Sequence, residues 1–139
     1  MSEPAVVVDT NVFGSVLSND HHGLIKTYSA DLTGTRLLIS FQTVAELRYG
    51  ALAAGWKKDR IQQMEERIRQ AAVVPPHIDL ANEWATLRWE CRTAGHPLHN
   101  RDHHSDLWIA ATARLADVPL VTRDKVFHGT PGLTVICRA

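Results

Sequence analysis

Five short apolar runs punctuate the chain: Ala5 to Asp9, Leu37 to Ser40, Ala72 to Val74, Leu120 to Thr122 and Leu133 to Ile136. Each pair of neighbours lies too far apart for a hairpin, and most intervals carry helical patterns. Parallel strands need such crossovers, whereas hairpin partners are joined by only about two to five residues. The runs are continuous, not alternating, which marks strands covered on both faces. The expected fold is therefore an α/β, doubly wound, three-layer α/β/α sandwich with a mostly parallel central sheet. Helices are expected from about Asn11, from His22 to Leu32, from Phe41 to about Ala54 and from Lys57 to Gln70. A longer one should run from an Asp79 cap to about Thr93, ahead of Gly95 and Pro97, and a last one from Ser105 to Ala116. With 139 residues and no repeat, low-complexity tract or linker, residues 1–139 are expected to form one domain.

The first strand ends in an anomaly. VVVDTNV places Asp9, Thr10 and Asn11 straight after an apolar run, and a carboxylate against a dry core is costly unless something compensates its charge. Three more acids belong to the same edge of such a sheet. Glu46 lies near the start of the helix after strand two, Asp106 in the first turn of the helix before strand four, and Asp124 just after strand four. In a right-handed parallel fold, strand C-termini and the N-termini of the helices share one edge, where ligands bind.

Each acid also has a purely structural reading. Asp9 can form an Asx turn, Glu46 a capping box with Thr43, Asp106 a favourable contact with its helix dipole, and Asp124 a turn cap over Lys125 to His128. Jointly they point elsewhere. Asp106 shares a stripe with Ile109, Ala110 and Ala113, and Glu46 is the only charge between Leu37 and Leu47. Inward acids without lysine partners repel one another, and a hard divalent cation such as Mg²⁺ or Mn²⁺ resolves that repulsion.

VVVDTNV, TVAELRYGAL and SDLWIAATARLADVPLVTRD together resemble the signatures of PIN-domain nucleases, and above all the VapC toxins of bacterial toxin–antitoxin modules. The resemblance runs from Val6 to Ile136 in order and spacing. It implies a PIN-like fold and a Mg²⁺-dependent endoribonuclease, with Mn²⁺ as a possible substitute, that cuts a specific structured RNA to leave a 5′-phosphate and a 3′-hydroxyl. By position, Asp9, Glu46, Asp106 and Asp124 match the acidic quartet. Asp9 and Asp106 would be the most direct metal ligands, Glu46 would bind metal or orient its waters, and Asp124 is the more variable fourth member. Thr10, Asn11 and Thr122 match polar positions that support the acids or touch phosphate. The resemblance also implies a homodimer and a VapB-type antitoxin that blocks the site; an exposed apolar groove between the first two helices and the Phe41 to Ala54 helix is a reasonable place for the antitoxin to dock.

Charge and composition narrow the partners. Lysine and arginine total 15 against 15 acidic residues, so the net charge is zero and bulk coating of nucleic acid is disfavoured. Arg48, Lys57, Lys58 and Arg123 are candidate RNA contacts, although the stretch from Arg48 to Arg69 also reads as a solvated helix face. No signal peptide or membrane span is evident, so the cytoplasm is the expected location. In HNRDHHSD, Asp102 competes with Asp106 as a ligand, and His99 and His103 have zinc-compatible spacing. His21 and His22 read as an exposed turn. Cys91, spaced with Trp84 and Leu87, reads as a buried thiol, and Tyr49 and Trp56 as packing residues. Two rivals stand beside the nuclease. A haloacid-dehalogenase-type phosphatase needs an acid two residues after Asp9, where Asn11 stands. A non-catalytic PIN-type binding module would have dispensed with some of the acids.

Overall fold

The computed structural model describes residues 4–15, 28 and 30–138. Its sheet has five strands: β1 (Ala5–Val8), β2 (Arg36–Ser40), β3 (Ala72–Val74), β4 (Leu120–Val121) and β5 (Val135–Ile136). All pairings are parallel, in the order β3-β2-β1-β4-β5. The chain builds outward from β1 through β2 to β3, then returns to the other side of β1 for β4 and β5. The topological switch point thus falls between β1 and β4.

Alternation along the strands explains the three layers. Val6 and Val8 of β1, Ile39 of β2, and Val121 of β4 pack into one core. That core is covered by α1 (Thr10–Ser15), α2 (Phe41–Ala53) and α3 (Lys58–Gln70), which contribute Val12, Phe13, Ala51, Met64 and Ile68. Val7 and Leu120 face the opposite way, into a core closed by α4 (Ile78–Ala94) and α5 (His104–Ala116). There Leu87, Cys91 and Leu107 are fully buried. Each such side chain contributes about 1.5–3 kcal/mol by leaving water. Cys91 is the inert core thiol expected, its pKa pushed up by burial.

The expected elements are present, with shifted ends. The α4 cap is His77 and not Asp79: after Pro75 and Pro76 the backbone stays extended through His77, whose Nδ1 accepts from the Asp79 amide at 3.2 Å. Asp79 sits instead in the first turn, beside the positive end of the helix dipole. Gly95, at φ 72°, closes α4 in the left-handed conformation that glycine adopts without strain. The helix expected from His22 to Leu32, and the turn at His21 and His22, fall outside the described residues apart from Tyr28 and residues 30–32, which are helical. Tyr49 does not pack: it lies opposite the buried Thr43 and Ala51 of α2 and is 73% exposed. Trp56 packs against the first core and is capped by the Arg60 guanidinium, 3.9 Å from the ring centre.

Tyr28 ties the C-terminal segment to the end of β4. Its buried hydroxyl lies 2.7 Å from the Thr122 carbonyl, to which it donates, and accepts from the Arg138 amide at 2.8 Å. Tyr28→Phe is expected to cost about 1–3 kcal/mol, the penalty for stranding buried polar groups. Urea unfolding measures it, and a loss below about 0.5 kcal/mol would contradict the latch.

Candidate active site at the switch point

Asp9 is the residue just beyond β1, and its amide continues the ladder by donating to the Val121 carbonyl of β4. Only 4% exposed, its carboxylate has two short partners. Oδ1 accepts from the Asn11 amide and Oδ2 from Thr122 Oγ1, both at 2.6 Å. Thr122 is itself fully buried and accepts from the Asp124 amide at 3.0 Å, so one threonine couples the first acid to the backbone of the fourth. The Asx turn that Asp9 makes with Asn11 coexists with this arrangement; it spends one carboxylate oxygen only in part, since each oxygen accepts more than one bond.

Asp106 opens the first turn of α5. Its Oδ2 meets His103 Nδ1 at 3.1 Å. Burial pushes the Asp106 pKa up, His103 opposes that rise, and the charges of Asp124 and Asp9 add to it. The Asp9 pKa is raised by burial too, against hydrogen bonds from Thr122, Asn11 and Val12, with Asp124 again adding repulsion. Asp9, Asp106 and Asp124 therefore sense one another across a single edge. Asp124 is exposed, and its Oδ1 caps the turn Lys125–Phe127 by accepting from the Val126 amide at 3.0 Å. Asn11, Arg123, Asp124 and Lys125 border an open cleft of about 700 Å³, which sets two cations beside the acids.

Glu46, on α2, makes no hydrogen bond to the three aspartates and is not among the charges that shift Asp9 or Asp106. Its Oε1 accepts from Gln42 Nε2 at 3.1 Å. The capping box with Thr43 is absent because α2 begins two residues before Thr43, capped by Ser40, whose Oγ accepts from the Gln42 amide. Thr43 instead joins its hydroxyl to that of Thr10 at 3.0 Å, linking α2 to α1. Of the other basic candidates, Arg48 is engaged in a two-pronged pair with Glu65, and Lys57 and Lys58 are exposed at the start of α3. Asp102 is exposed, in a turn ahead of α5, and it is Asp106 that joins the acids. Sequence reasoning did not assign His103 or Lys125 to this site. The signal for His103 was its position three residues before Asp106.

Among the described residues, no three His, Cys, Asp or Glu groups form a ready-made metal cage, and His99 and His103 each engage Nδ1 with another partner. His99 Nδ1 is taken by the His96 carbonyl at 2.7 Å. The donor set at the switch point is nevertheless all oxygen, buried in part and self-repelling. That suits Mg²⁺, which keeps several waters and takes only one or two carboxylates.

A parallel sheet with acids at its switch point does not by itself define a protein class, and similarity to known proteins supplies it. Residues 6–133 match the PIN domain model. Ribonuclease VapC5 of Mycobacterium tuberculosis is 32% identical over 130 residues, covering 92% of this chain and 89% of that protein. The structure of VapBC-5 from the same organism, a member of the VapBC toxin–antitoxin systems, matches with a TM-score of 0.68 at 28% identity over 96% of this chain and 98% of that one. VapBC2 of Rickettsia felis, bound to a promoter DNA fragment, shares the fold at TM-score 0.77 and 21% identity, over 96% and 98% of the two chains. The chain belongs to the PIN-domain family, and within it stands among the VapC proteins.

The raised Asp106 pKa has a testable sign. Between the unfolded value of 3.8 and the raised folded value, the native state holds a proton that the unfolded state has lost, so stability falls as pH rises through that window. In EDTA, Asp106→Asn is expected to melt above wild type at pH 7, with the gap closing below pH 3.8. A lower melting temperature at pH 7 would contradict it.

Proposed function

We propose that the protein is a Mg²⁺-dependent endoribonuclease of the VapC type, with Mn²⁺ able to substitute, acting on a specific structured RNA within a toxin–antitoxin module. The observation that carries this reading is the buried, hydrogen-bonded Asp9 at the switch point, sharing its edge with Asp106 and Asp124. The relatives named as ribonucleases support the substrate class.

In this reading Asp9 and Asp106 hold the metal, with Asp124 and Glu46 completing the edge or orienting its waters. A bound Mg²⁺ supplies an activated water and stabilises charge on the phosphate and the departing 3′ oxygen. Hydrolysis joins the water oxygen to phosphorus and breaks the bond to O3′, leaving a 5′-phosphate and a 3′-hydroxyl. Thr122 and the Asn11 amide fix the Asp9 carboxylate, and His103 fixes that of Asp106. Arg123 and Lys125 receive the incoming phosphate. Thr10, through Thr43, keeps α1 and α2 in register beneath the acids.

A VapB-type antitoxin and a second copy of the chain are the proposed protein partners, in keeping with the VapBC complexes that share the fold. On α2, Tyr49 and Leu52 are exposed apolar side chains at one wall of the proposed antitoxin groove. The other wall includes the helix expected from His22, which lies mostly outside the described residues.

Cleavage of total RNA by purified protein tests the reading. Discrete 5′-phosphate fragments are expected with Mg²⁺, lost with EDTA and on addition of the antitoxin. Asp9→Ala should reduce the rate by more than about a hundredfold, and Thr122→Val by about 10–100-fold, as for a group that orients a metal ligand. Absence of cleavage by folded wild type across many RNAs would favour the non-catalytic binding module.

A further inference from the structure

A second cavity, of about 420 Å³, opens on α4 away from the acid cleft, walled by Trp84, Ala85, Arg88, Trp89, Arg92 and His99. Its size falls in the range of small-ligand sites, about 300–1,000 Å³. In a chain of zero net charge, its wall carries two guanidinium groups and no carboxylate. The nearby acids are occupied, since Glu83 and Glu90 both pair with Arg114. Arg88 and Arg92 have no carboxylate partner among the described residues.

The wall is pre-organised. Arg88 Nε donates to the His99 carbonyl at 3.2 Å, and its guanidinium lies over the Trp84 ring at 5.6 Å, leaving the terminal N–H groups free. Arg92 lies over Trp89 at 5.8 Å, and Trp89 is 60% exposed. The Trp84 indole N–H is itself buried without a hydrogen-bond partner, so the donors on the wall are the two guanidinium groups. His99 commits Nδ1 to the His96 carbonyl, so its neutral ring offers Nε2 as an acceptor. The cavity therefore combines flat aromatic faces, donors for an anion and one acceptor.

Aromatic contacts run inward from this cavity to the helices that carry the acids. Trp84 stacks on Trp108 with centroids 5.3 Å apart, and Trp108 meets Phe41 edge-on at 5.4 Å. Trp108 stands two residues after Asp106, and Phe41 begins α2, the helix that carries Glu46.

We propose that this cavity is a second RNA contact, holding an unpaired nucleotide of a single-stranded segment by base stacking on tryptophan and phosphate pairing with Arg88 and Arg92. The inference rests on the reading of RNA as the substrate and adds where a strand continues beyond the cut. Stacking platforms edged by arginine suit unpaired bases of any sequence. A duplex hides its base faces, so the contact selects a looped or flanking single strand.

The test measures binding without cleavage. Full-length protein in EDTA is titrated into a fluorescein-labelled single-stranded RNA of mixed sequence, with fluorescence anisotropy as the readout and sedimentation reporting the oligomeric state. Arg92→Ala and Trp89→Ala change surface side chains and should leave folding intact. Each is expected to weaken binding on the order of tenfold, with Arg92→Lys recovering part of the loss. Equal binding by the cavity variants and wild type would overturn the proposal, as would failure of wild type to bind. Unchanged RNA binding with a shift from dimer to monomer would assign the surface to a second copy of the chain. If cleavage fails while the cavity variants still lose binding, the nuclease reading falls and the RNA contact stands.

Discussion

A carboxylate at the end of the central strand organises this molecule. Asp9 stands between β1 and β4, where the strand order reverses, and its carboxylate accepts from two neutral donors, with no basic side chain within hydrogen-bond reach among the described residues. Hydrogen bonds from Thr122 and the start of α1 keep the anion viable, yet burial still pushes its pKa up, and Asp124 and Asp106 approach with the same sign. Such an edge is under electrostatic tension in the isolated chain. In the proposed reading a divalent cation would relieve that tension, and stability and function would then pull in opposite directions at these positions.

The scaffold supplies the rigidity this edge requires. Val6, Val7 and Val8 are locked into opposite cores, so the direction of Asp9 is set by strand register and not by a flexible loop. Thr122 is positioned by the β4–β5 ladder and by the Tyr28 hydroxyl on its carbonyl. Asp106 rides on α5, the most completely buried helix, with Leu107, Ile109, Ala110 and Ala111 packed behind it. Acids mounted on such elements hold their geometry without a metal to pull them together.

Much of this was legible in the sequence because the signals were local. Continuous apolar runs at crossover spacing gave a parallel sheet, and Ala72–Val74 appears with the expected ends. An acid at the end of such a run can lie only at the ligand edge. What escaped reading depended on contacts across the chain. Thr43 looks like half of a capping box until its hydroxyl is found on Thr10, and His103 looks like half of a zinc-spaced pair until it meets Asp106. Arg48 looks free until Glu65, seventeen residues on, takes it. The cavity on α4 was invisible for another reason: Trp84 spaced with Leu87 and Cys91 reads as core, and half of it is. Only the packing of α5 beneath shows that the outer side of that stripe remains open.

The measurement that bears most directly on the account is a count of bound Mn²⁺ by electron paramagnetic resonance, comparing wild type with the Asp9→Asn, Asp106→Asn double variant at neutral pH. The account requires saturable binding of one or two ions by wild type and its loss in the folded double variant. Binding that survives the double substitution, or a folded wild type that takes up no Mn²⁺, would contradict the claim that the edge at the switch point is a metal site.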